Sequence, residues 1–127
     1  MTKIMIVDDE PDVLYLVEKI LEKEGYEVDV AYSGKDCLDK VEDVMPDLII
    51  LDIMMPGIDG WETARTLKTK EKTKNIPIVM LTVRVSDDSV ERSFEYANAD
   101  GHLGKPISNE KMLNTIRWVL ENKRGSG

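Results

Sequence analysis

The chain has 127 residues, one cysteine, and 17 basic against 25 acidic side chains, for a net charge of −8. That length is one domain, large enough to hold a core without disulfides or structural metal, and a single cysteine excludes both a disulfide framework and a cysteine zinc cluster. The acidic balance makes the chain a poor candidate for binding nucleic acid or anionic lipid directly, and apolar runs of four residues such as Ile4–Val7 fall far short of the ~20 that span a membrane.

Five short apolar runs alternate with five segments of helical period. The first run, Lys3–Val7, follows Met1-Thr2 with no leader-like stretch, which predicts a cytoplasmic protein. It leads into a helix over about Pro11–Glu24, with Val13, Leu14, Val17, Ile20 and Leu21 on one face, Pro11 in the first turn and Gly25 as the stop. The second strand, Tyr26–Ala31, carries Glu27 and Asp29 and reads as an edge. Its helix follows Ser33 and turns Leu38 and Val41 inward; Cys37 at helical spacing is a small packed residue rather than a reactive thiol.

The third strand is Asp47–Leu51, followed by a helix after Asp59-Gly60 that turns Ala64 and Leu67 inward. The fourth is Ile76–Leu81, with a helix after Ser86 that turns Val90, Phe94 and Ala97 inward. The fifth is Asp100–Gly104, and a helix capped by Ser108 carries Met112, Leu113, Ile116, Val119 and Leu120. Trp61 and Trp118 stand at helical positions and read as packing residues. Strands one, three and four are apolar throughout, as parallel strands covered on both faces must be. Strict βα alternation therefore predicts a single doubly wound α/β domain over residues 1–123, with 124–127 a disordered tail, linker or cloning remnant.

In an open parallel sheet, ligands bind beyond the carboxyl ends of the strands. Here those ends carry Asp8-Asp9-Glu10, Asp52, Thr82 and Gly104-Lys105-Pro106. Three aspartates in one crevice repel, and crowding raises their pKa values. A divalent cation together with Lys105 cancels three carboxylate charges, and so sparse a ligand set suits Mg²⁺ better than Ca²⁺. The competing account of Asp8-Asp9-Glu10 is helix capping alone, since acids favour a first turn.

The fragments Val7-Asp8-Asp9-Glu10, Leu51-Asp52-Ile53-Met54-Met55-Pro56-Gly57-Ile58-Asp59-Gly60, Leu81-Thr82 and Lys105-Pro106, in this order and spacing, resemble the receiver domains of two-component response regulators along essentially the whole chain. The resemblance implies a flavodoxin-like (βα)5 fold with sheet order 2-1-3-4-5 and helices on both faces. It implies that Asp52 is the phosphoacceptor, that Asp9 ligates Mg²⁺ directly and Asp8 through water, and that the Met54 backbone carbonyl completes the metal set with Asp52. Lys105 and Thr82 then engage phosphoryl oxygens, and Lys105-Pro106 is a cis bond. The implied partners are a histidine kinase or phosphotransfer protein, and a downstream protein or output domain at the surface of the fourth helix, fifth strand and fifth helix. There, phosphorylation is expected to couple Thr82 to His102 and alter exposure around Val90, Phe94 and Lys111. The sequence departs from the family at Val83, where a smaller residue is usual, and at His102, in place of a switch tyrosine or phenylalanine. Met54 and Arg84 occupy positions that tune phosphoryl lifetime in the family.

Three rival readings exist. A haloacid-dehalogenase-type phosphatase needs a second aspartate two residues after the nucleophile, where Met54 stands. A degenerate, non-phosphorylated receiver usually lacks the acceptor, an acid or the lysine, and this chain keeps all of them. A flavodoxin-like cofactor protein needs a phosphate loop after strand one, where Asp8-Asp9-Glu10 would repel it.

Overall fold

The computed structural model describes residues 2–82, 91–105 and 107–125, with side chains to residue 122. Five parallel strands, β1 (Lys3–Val7), β2 (Glu27–Ala31), β3 (Leu48–Asp52), β4 (Ile78–Thr82) and β5 (Gly101–Gly104), pair in the order β2-β1-β3-β4-β5. The helices are α1 (Pro11–Lys23), α2 (Gly34–Val44), α3 (Gly60–Thr69), a short π-wound segment α4 (Arg92–Tyr96), and α5 (Asn109–Gly125). The expected doubly wound topology is thus present, and α5 runs past residue 123. No described helix is long and apolar enough to cross a membrane.

Apolar residues of both parities in the central strands are used, because each face of the sheet meets a helical layer. Met5, Val7, Ile49, Leu51 and Met80 face Cys37 and Val41 of α2 and Ala64 and Leu67 of α3. Ile4, Ile6, Leu48, Ile50, Val79 and Leu81 face Leu14, Val17 and Leu21 of α1 and Met112, Ile116 and Val119 of α5. β2 is the predicted edge, and burial holds the Cys37 thiol up at about 12, where it is inert.

Local chemistry sets the helix ends. The amides of Gly25 and Tyr26 donate to the carbonyls of Glu22 and Leu21, closing α1 in a Schellman turn that Gly25 enables at φ +90°. Ser33 Oγ accepts from the Asp36 amide at 3.0 Å to start α2, and Asp59 Oδ1 accepts from the Glu62 amide at 2.9 Å to start α3.

Two expectations about aromatic packing fail. In α4 and its C-cap, Ser93 and Ala97 take the buried positions, so Phe94 is left 43% exposed. On α5 the buried stripe is Met112, Ile116 and Val119, and Trp118 lies outside it, 61% exposed. Ser86, Val90, Val83, Arg84 and the Lys105-Pro106 bond expected to be cis lie outside the described residues.

Candidate functional site

The predicted carboxylates and lysine converge at the carboxyl edge of the sheet. Asp52 is still within β3, paired with Leu81, so the neighbouring strand β4 holds it; its side chain is 2% exposed. Asp8, fully buried, follows β1 and accepts the Glu10 amide at 2.9 Å through Oδ1. Its other oxygen accepts from Lys105 Nζ at 3.0 Å. The same ammonium lies 3.3 Å from Glu10 and 3.6 Å from Asp52. One cation therefore serves three carboxylates.

Lys105 is positioned by its backbone: its amide donates to the carbonyl of Thr82 at 2.7 Å, tying the end of β5 to the end of β4. Thr82 itself is fully buried. Asp9 is exposed at the mouth, and carboxylate oxygens of Asp8, Asp9 and Glu10 all lie within 4.8 Å of one another. Capping does not account for this cluster. Glu10 occupies the N-cap of α1 yet makes no side-chain cap bond, and reaches Lys105 instead.

Burial, and then the charge of Asp8, push the Asp52 carboxyl up from 3.8 to about 7; Lys105 and the Met54 amide pull the other way. For Lys105 burial disfavours the ammonium, but the bond to Asp8 and the charges of Asp52 and Asp8 outweigh it and raise its pKa. A carboxylate cluster held together by one lysine carries excess negative charge, and its donors are all hard oxygens. The residues present fit a small divalent cation.

The loop after Asp52 is shaped by two glycines. Gly57 adopts φ +78°. Gly60 packs so closely that a Cβ there would collide with the Asp52 carbonyl oxygen and lie 2.7 Å from Ile53 Cα. The Gly60 amide donates to the Ile53 carbonyl at 2.9 Å, so α3 begins directly against the phosphoacceptor candidate. Met54, half exposed, stands at the rim.

A family model for the response regulator receiver domain matches residues 4–117. The chain belongs to that family. Among solved structures, this receiver is similar to the chemotaxis protein CheY4 of Vibrio cholerae, with 33% identity over 94% of this chain and 98% of that one and a TM-score of 0.89. It is similar to a CheY-like receiver domain protein from Methanospirillum hungatei JF-1, with 29% identity over 100% and 99% of the chains and a TM-score of 0.91. A third is the response regulator TrrA of Thermotoga maritima, solved in complex with Mg²⁺ and beryllium fluoride, with 35% identity over 94% and 99% and a TM-score of 0.83.

Two residues of this receiver's pocket went unassigned from sequence. Glu10 was legible only as a neighbour of two aspartates, and its contact with Lys105 spans 95 positions. The steric demand at Gly60 had no sequence signal beyond its place in the Asp52 fragment. His102 is half-buried in β5, and its enclosed Nε2 has no hydrogen-bond partner among the described residues; burial lowers its pKa.

Proposed function

We propose that this receiver takes a phosphoryl group onto Asp52 from the phosphohistidine of a kinase or phosphotransfer protein, in a Mg²⁺-dependent reaction, and thereby changes a partner-binding surface. The observation that carries this reading is the buried Asp52 carboxylate, 3.6 Å from an ammonium that also serves Asp8 and Glu10.

A carboxylate oxygen of Asp52 attacks phosphorus, the P–N bond to histidine breaks, and the imidazole nitrogen keeps the electron pair. The product is an acyl phosphate that water later cleaves at the same pocket. Lys105 shifts from the carboxylates to a phosphoryl oxygen, and the Thr82 hydroxyl donates to another. Asp8, Asp9, Asp52 and the Met54 carbonyl would hold the Mg²⁺. Bound there, Mg²⁺ supplies positive charge that keeps Asp52 ionised and neutralises the incoming oxygens.

Phosphorylation consumes one carboxylate charge and adds about two, a net gain of roughly one negative charge beneath Thr82. The surface to be switched is that of α4, β5 and α5, through Thr82 and His102, with changed exposure at Phe94 and Lys111. A groove of about 480 Å³ lies on this face, lined by Phe94, Gly101, Asn114, Thr115, Trp118 and Val119, and its exposed rings suit a downstream protein or output domain. The test is transfer from a phosphorylated histidine phosphotransfer domain in Mg²⁺. Label should leave the donor for wild type and stay there for Asp52→Asn; equal transfer to both removes the proposal.

A further inference from the structure

A second physical connection leads from the Asp52 loop to α4, and it does not pass through Thr82. Gly60, the first residue of α3, is pressed against the backbone of Asp52 and Ile53. The next residue, Trp61, turns outward to α4 and donates from Nε1 to Ser93 Oγ at 3.0 Å. Arg92 lies over two rings at once, 4.7 Å from the centroid of Trp61 and 4.5 Å from that of Tyr96. Arg65 lies 4.6 Å from the Tyr96 ring, whose hydroxyl donates to Glu62. Trp61, Glu62 and Arg65 belong to the first turns of α3, whereas Arg92, Ser93 and Tyr96 make up most of α4.

The gripped element is wound in an uncommon way. The Ala97 amide donates to the Arg92 carbonyl at 3.1 Å, and the Ala99 amide to the Ser93 carbonyl at 2.9 Å, with Asn98 between them at φ +57°. A π turn is rare and needs local support, and a one-residue change of register returns it to ordinary helix. The two carbonyls that carry these wide bonds belong to Arg92 and Ser93, the residues that Trp61 contacts.

We infer that Trp61 is a positioning residue that holds α4 in its π register and ties that register to the loop following Asp52. This rests on the proposed phosphorylation of Asp52. A shift of the loop on phosphorylation moves Gly60 and with it Trp61, which pulls on Ser93 and Arg92. Trp61→Phe keeps the ring for Arg92 and loses only the donor; Ser93→Ala loses the acceptor. Trp61 lines a hollow beside Met54 and Asp59, but neither Trp61 nor Ser93 is among the groups assigned to the phosphoryl group or Mg²⁺.

The experiment uses the full chain with Mg²⁺ and beryllium fluoride as phosphoryl analogue, and reads amide hydrogen exchange at Ala97 and Ala99 beside the affinity for the analogue. Wild type should bind and change exchange at both amides. Each single variant should lose about fivefold of that change, the worth of one neutral hydrogen bond in an equilibrium. Affinity should move by no more than the same factor, since coupling between sites is reciprocal. The double variant should lose less than the sum of the two, because both break the bond between Trp61 and Ser93. Binding with an unchanged response in Trp61→Phe and Ser93→Ala overturns the inference, as does a double variant whose loss is the sum of the two. Wild type that binds yet shows no response at α4 overturns the inference alone, whereas wild type that fails to bind overturns the phosphorylation reading and this inference with it.

Discussion

Replacing Asp52 by asparagine should stabilise the metal-free protein at neutral and alkaline pH. The Asp52 carboxyl, raised from 3.8 to about 7 by burial and by Asp8, must be ionised above that pH at a cost that the unfolded chain does not bear. An acid whose folded pKa lies above its unfolded one contributes stability below the unfolded value and loses it as pH rises through the folded one. Between pH 4 and about 7 wild type should therefore lose stability. Each pKa unit is worth about 1.4 kcal/mol, so the loss has a ceiling of ~4 kcal/mol. It is a ceiling because the proton is shared across a cluster in which Lys105 contacts Asp8 and Asp52 together. Urea unfolding of wild type and Asp52→Asn at a series of pH values, without and with Mg²⁺, measures it. The variant should be more stable at pH 8 and nearly equal to wild type at pH 4, and Mg²⁺ should narrow the gap. A gap that is constant across this range would refute the electrostatic account of the pocket.

Gly60→Ala should cost about 1–3 kcal/mol by overpacking, because the added methyl meets backbone of Asp52 and Ile53 rather than a movable side chain; unchanged urea stability would show that the loop yields freely. Lys68→Met removes a 7% exposed ammonium bound to Asp100 at 2.9 Å and to the Ile76 carbonyl, and should cost about 2 kcal/mol by removing charge-assisted hydrogen bonds. A thermal midpoint equal to wild type would contradict that. Asp9→Ala should weaken Mg²⁺ binding in titration calorimetry, and equal affinity would remove Asp9 from the ligand set. Lys105→Ala should still accept label on Asp52, yet hydrogen exchange around α4 and α5 should no longer respond; a normal response would deny the lysine its coupling role.

The fold was legible because parallel strands flanked by helices carry apolar residues at every position, as Ile4–Val7 and Leu48–Leu51 do, and because one charged strand, β2, had to be an edge. The pocket was legible because its polar residues stand where such runs stop: Asp8, Asp52, Thr82 and Lys105 are each next to, or the last member of, a strand. What could not be read depends on geometry across the chain. The bond from Glu10 to Lys105 and the clearance at Gly60 exist only once separate elements pack. Periodicity also misjudged α4, since an ordinary helical period assigns Phe94 to the core, whereas Ser93 and Ala97 fill it beneath Trp61. Trp118 misled in the same way: its position on α5 is helical but off the stripe of Met112, Ile116 and Val119.

The covalent acceptor we propose is Asp52. Phosphotransfer in Mg²⁺ from a phosphohistidine donor, followed by borohydride reduction, converts an aspartyl phosphate to homoserine, which peptide mass mapping locates. Homoserine should appear at residue 52 alone and be absent when the donor is omitted. Homoserine at another aspartate, or none after the donor histidine has lost its phosphoryl group to this chain, would contradict the account.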